Sequence, residues 1–95
     1  MTQQEQNKTI LHAIRKAITP TQIRGQIVYI RELNGDIVYS TCGYAPLGGG
    51  ILNDLKGINM YDVITALFED TMGYQITVGP DRNDGALTVK MWRTE

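Results

Sequence analysis

The spacing of apolar residues changes several times along the chain, and each change marks an element. From Thr2 to Ile18 the positions Ile10, Leu11, Ile14, Ala17 and Ile18 recur at helical spacing, while Gln3, Gln6, Asn7, Arg15 and Lys16 fall at other angles. That pattern predicts an amphipathic helix. Thr2-Gln3-Gln4-Glu5 has the form of a capping box, Thr2 satisfying the amide of Glu5 and Glu5 reaching back. Arg15 and Lys16 suit the negative end of the helix dipole, and Pro20 disfavours helical geometry at Thr19, so the helix should stop there.

Two runs rich in β-branched and aromatic residues follow, Ile27-Val28-Tyr29-Ile30 and Ile37-Val38-Tyr39, joined through Asn34-Gly35. A type I′ turn needs positive φ at both central residues, and Asn and Gly tolerate it best, so this is a hairpin. A two-residue loop sets Leu33 against Asp36, Arg31 against Val38 and Ile30 against Tyr39. Val28, Ile30, Ile37 and Tyr39 then share one face. Ile27, Tyr29, Val38 and Cys42 share the other with Arg31, Asp36 and Ser40. Neither face is cleanly polar, which predicts a helix on one side and a loop or second subunit on the other.

Periodicity disappears between Gly43 and Gly57, where Gly43, Gly48, Gly49 and Gly50 cluster, and the stretch 43–57 reads as a long connector. Within it Ile51 to Lys56 could form one helical turn ended by Gly57, partly burying Ile51, Leu52 and Leu55. A second helix then has Asn59 as N-cap and Met60, Val63, Ile64, Leu67 and Phe68 as its buried stripe. Gly73 takes the left-handed C-terminal position. Beyond it Tyr74, Ile76 and Val78 alternate with Gln75 and Thr77. After the polar loop Gly79 to Gly85, Leu87, Val89 and Met91 point inward and Thr88, Lys90 and Trp92 outward.

The expected fold is therefore a single α+β domain over residues 1–95, in αββαββ order. Its four-stranded, mainly antiparallel sheet carries two helices packed on one face, and loop 43–57 connects the two αββ halves. Ile14 and Ile18 would serve the first half as Leu67 and Phe68 serve the second.

Composition adds constraints. The 95 residues are 42% hydrophobic and 20% charged, ordinary for a globular chain. A net charge of -1 and nine scattered basic residues make nucleic acid an improbable partner, since phosphate recognition needs several cations together. One cysteine, Cys42, excludes an intramolecular disulfide and points to a reducing, cytoplasmic setting. The polar N-terminus has no signal core, and no run approaches the length of a spanning helix, so no membrane association is expected.

Candidate chemistry is sparse. His12, the one histidine, could act as a base only on Cys42 or Ser40, and a structural role for both His12 and Cys42 is the simpler expectation. Glu69 and Asp70 adjoin on a helix and diverge. Asp81 to Gly85 lacks the alternating ligands and closing glutamate of a calcium loop. No metal and no cofactor is called for. Gly43 to Gly48 has the glycine spacing of a phosphate loop, but Gly49 and Gly50 stand where Lys and Ser or Thr belong, so nucleotide hydrolysis is not implied. Freed amides at Gly48, Gly49 and Gly50 could still cradle an anion, with Tyr44 and Arg24 as helpers. Trp92, on a terminal strand that could lie at the sheet edge, and Tyr29 are the candidate interface anchors.

These features favour a non-enzymatic cytoplasmic interaction protein, an adaptor, inhibitor or regulator that contacts another protein or itself as a homodimer. The alternative is a small-molecule binder holding an anionic or nucleotide-like ligand at Gly48 to Gly50.

Overall fold

The computed structural model describes residues 2–18, 26–42 and 48–93. The expected helix stop at Thr19-Pro20, Arg24, Gly43 and Tyr44 lie outside the described residues. The elements are helix α1 (Gln3–Ile18), strands β1 (Ile27–Leu33), β2 (Asp36–Cys42) and β3 (Gly49–Ile51), a 3-10 turn over Asn53–Leu55, helix α2 (Met60–Glu69), and strands β4 (Gln75–Pro80) and β5 (Leu87–Trp92). The α+β class and two helices on an antiparallel sheet are as expected. The four-stranded αββαββ arrangement is not: the sheet has five strands in the order β3-β2-β1-β5-β4. Gly49 to Ile51, expected in a connector, pairs with β2 through Val38↔Ile51, Tyr39↔Gly50 and Ser40↔Gly49. The pairing is clamped at one end by Thr41 N–H on the Gly48 carbonyl (2.9 Å) and at the other by Leu52 N–H on the Ile37 carbonyl (2.8 Å).

Local chemistry explains most elements. Glu5 N–H donates to Thr2 Oγ1 (3.2 Å) and Thr2 N–H to Glu5 Oε1 (3.1 Å), closing the capping box. The Thr2 amide first, and then the Thr2 hydroxyl donating to Glu5 Oε1 at 3.0 Å, hold the Glu5 carboxyl below its usual range. Asp62 N–H donates to Asn59 Oδ1 at 3.0 Å, so Asn59 caps α2. Asn34 and Gly35 have φ of 53° and 85°, the turn that Asn-Gly favours, and the β1–β2 register pairs Leu33 with Asp36 and Ile30 with Tyr39. Met72 and Gly73 repeat the positive pair at 57° and 85°, with Tyr74 N–H on the Thr71 carbonyl, and turn the chain from α2 into β4.

The core lies between the helices and one sheet face. Ile10, Ile14 and Ile18 from α1, Val63 and Leu67 from α2, Leu55 from the 3-10 turn, and Ile30, Ile37, Val89 and Met91 from the sheet are all buried. Two expectations fail here. Phe68 is 70% exposed, because the buried stripe of α2 is centred on Val63, Ala66 and Leu67, one position round from Phe68. Asn7, expected on the wet side of α1, is buried. Its spacing to Ile10 and Ile14 places it on the stripe, and its amide is satisfied by Glu69 Oε2 (2.7 Å) and by Gln3 Nε2 (2.8 Å). The 3-10 turn buries Leu52 and Leu55 as expected, while Ile51 is half exposed on β3.

Candidate functional site

Period-two alternation sends half of each strand away from the helices, and the register aligns these outward residues in rows. One row runs Gln75, Trp92, Ile27, Cys42 from β4 to β2. The next runs Thr77, Lys90, Tyr29, Ser40, Gly49, and a third places Thr88, Arg31, Val38 and Ile51 side by side. Among the described residues no helix covers this face. It is an open surface with aromatic, aliphatic and cationic groups at its centre.

Lys90 places its ammonium 5.7 Å from the centroid of the Trp92 ring, within cation–π distance. Arg31 pairs with Asp84 at 2.9 Å and more distantly with Asp81 at 3.8 Å. Those carboxylates also organise their own loop: Asn83 N–H donates to Asp81 Oδ1 (2.7 Å) and Ala86 N–H to Asp84 Oδ1 (3.0 Å). The Ala86 amide first, and then the Arg31 guanidinium, hold the Asp84 carboxyl below its usual range. The loop so fixed stands beside the face and bounds an open concavity of about 760 Å³, whose floor is Tyr29, Lys90, Thr77 and Arg31 and whose rim includes Arg82 and Asn83. Ring surface, hydroxyls and cations line it.

Tyr29 and Trp92 both belong to this face, diagonal neighbours on adjoining strands and in adjoining rows, with Lys90 and Ile27 at the other two corners. Trp92 does face outward with Thr88 and Lys90. It is not on an edge strand, since β5 lies between β1 and β4; the edges are β3 and β4. The glycines stand at the sheet margin, Gly49 closing the Tyr29 row on the β3 edge. Gly48 N–H donates to Thr41 Oγ1, and the Gly48 carbonyl accepts from the Thr41 amide and hydroxyl. Gly49 and Gly50 are strand residues on the β3 edge, and the proposed helpers Arg24 and Tyr44 lie outside the described residues.

His12 is exposed on the helix layer, whereas Cys42 and Ser40 are exposed on the opposite sheet face, so the sheet separates the base from both nucleophiles. Glu69 and Asp70 diverge as expected, one to Asn7 and the other to the Met72 amide. Among the described residues no three His, Cys, Asp or Glu side chains gather as a metal site, and no helix is long and apolar enough to cross a membrane. Arg31, Lys90 and Asp84 were not singled out from the sequence as site residues. For Arg31 and Lys90 the signal is alternation with Tyr29 and Trp92, whereas Asp84, in the loop before β5, carries none; bringing the three together requires β1 beside β5, a pairing no local pattern reveals.

Comparison with protein-family models, with curated proteins and with solved structures finds no match.

Proposed function

We propose that this protein is a non-enzymatic interaction module, an adaptor, inhibitor or regulator, whose contact surface is the open sheet face. The observation that carries the reading is the face itself. One side of the sheet is sealed by both helices, while the other presents Tyr29, Trp92 and Ile27 in adjoining rows with Lys90 and Arg31 among them. Aromatic side chains with a polar tip lose little conformational freedom on binding and supply much of the energy of protein contacts. The separation of His12 from Cys42 and Ser40 supports a role without covalent catalysis.

Native mass spectrometry of gently purified protein, run beside a Tyr29→Ala/Trp92→Ala variant, tests this. Both side chains are only partly buried, so the variant should keep its fold, checked by circular dichroism. The wild type is expected to carry an associated protein mass other than a second copy of itself, and the double variant to have lost it. The reading falls if that mass persists in the variant, if the wild type carries none, or if the only added mass is a small molecule.

A further inference from the structure

The two sheet edges are finished differently. β3 is three residues long, and its shortness limits what can pair with it. β4 offers six residues, Gln75–Pro80, without a charged side chain and in unbroken register with β5. Natural edges of this length are normally blunted by charge, a bulge or a cover, and β4 has only Pro80 at its end.

Ladder parity shows what the edge presents. Asp81 N–H donates to the Ala86 carbonyl at 2.8 Å, and odd-numbered residues of β4 accordingly bond towards β5. The same parity follows from the other side of the sheet. The two-residue turn pairs Leu33 with Asp36, which turns the even residues of β1 towards β5 and hence Thr88, Lys90 and Trp92 towards β4. Ile76 and Val78 therefore direct both N–H and C=O outward. On one flank Pro80 has no N–H, and on the other the Tyr74 amide is already bonded to the Thr71 carbonyl at 3.0 Å. The pairable stretch is thus Ile76 to Val78, and it is symmetric about Thr77.

We infer that two copies of this chain pair antiparallel through β4 about a two-fold axis at Thr77. Ile76 of each copy exchanges both backbone hydrogen bonds with Val78 of the other, and the half-exposed Val78 side chain gains an apolar neighbour. Charge is complementary in this arrangement. Asp70 lies just before β4 and Arg82 just after it, and an antiparallel crossing brings Arg82 of one copy towards the Asp70 end of the other, twice by symmetry. Asp81 and Asp84, which would oppose this, are tied to Arg31, whereas Arg82 has no ion pair among the described residues. The product is one sheet of double width. The inference deepens the interaction reading, because it makes the two open faces continuous.

The register supplies a sharp test. Residues at the axis are a non-hydrogen-bonded pair with Cα atoms about 4.5 Å apart, within the span a disulfide bridges. In a Cys42→Ser background, Thr77→Cys should cross-link to a dimer under mild oxidation roughly tenfold or more faster than Gln75→Cys, whose symmetry mate lies about 13 Å further along the strand. Both positions are exposed on the face turned away from the core, so both variants should keep the fold. A wild-type chain that sediments as monomer up to about 1 mM overturns the inference. So does a dimer in which Thr77→Cys links no faster than Gln75→Cys, which would place self-association on another surface. Adding Tyr29→Ala and Trp92→Ala should leave the Thr77→Cys cross-link unchanged, separating the failure of this inference from failure of the open-face reading.

Discussion

A Cβ added at Gly49 would lie 3.0 Å from the Tyr39 carbonyl oxygen, whereas at Gly50 it would rest against the Tyr39 ring at 3.6 Å. Two adjacent glycines that look equivalent in sequence therefore differ. Gly49→Ala should cost about 1 kcal/mol, as overpacking against backbone does, and Gly50→Ala should stay within about 0.5 kcal/mol. Urea unfolding of the two variants checks this; matching midpoints would mean that β3 simply shifts to make room. Asp84 yields a second residue-scale expectation. Its carboxyl is depressed below its ordinary range, so its stabilising share is complete above the unfolded pKa and disappears as pH falls through the lower, folded value. The loop beside the open face should accordingly loosen only in acid. In Arg31→Gln the Asp84 titration, followed by carbon NMR, should move up only part of the way to normal, because the Ala86 amide is the larger cause. Full normalisation would reverse that ranking.

The elements legible in the sequence were those whose cause is local. The Asn34-Gly35 turn, the capping box at Thr2 and Glu5, and the Asn59 cap each involve residues within one turn of one another, and each stands as the pattern implied. β3 is illegible in the sequence because Gly49 and Gly50 disfavour a strand and Ile51 alone makes no alternating run; it is a strand because the β2 edge offers it a partner. Apolar identity alone puts Phe68 on the buried stripe, but the angle of α2 that faces α1 excludes it. Small, fully buried Ala66 shows that the contact centres on that side. Asn7 is the converse case. Its polarity outweighs its helical position, although a buried amide is tolerable once Glu69 and Gln3 satisfy it. Of the candidate site, Tyr29 and Trp92 could be assigned to an outward face from alternation alone, but not their shared surroundings.

At the scale of the molecule the missing information was strand order. Each hairpin fixes its own register, yet nothing in either announces that β1 will sit against β5 and make the two ribbons one sheet. The shortest dimension, 21 Å, is that of a helix layer on one sheet, and among the described residues no third layer lies over the rows around Tyr29. The central seam also has a kinetic consequence. The β1–β2 and β4–β5 ribbons close short loops and form quickly, but Ile30 and Val89, neighbours across the seam, are separated by most of the chain. Until they meet, neither ribbon has an interior to bury, so the barrier to folding includes their meeting. Ile30→Val, costing about 1 kcal/mol, should slow refolding in stopped-flow experiments, whereas Gly49→Ala at the sheet margin should chiefly accelerate unfolding. Should both substitutions act on the unfolding limb alone, the seam closes after the barrier. The pairing that makes a single platform of two local ribbons is thus also the step that sets how fast the chain acquires it.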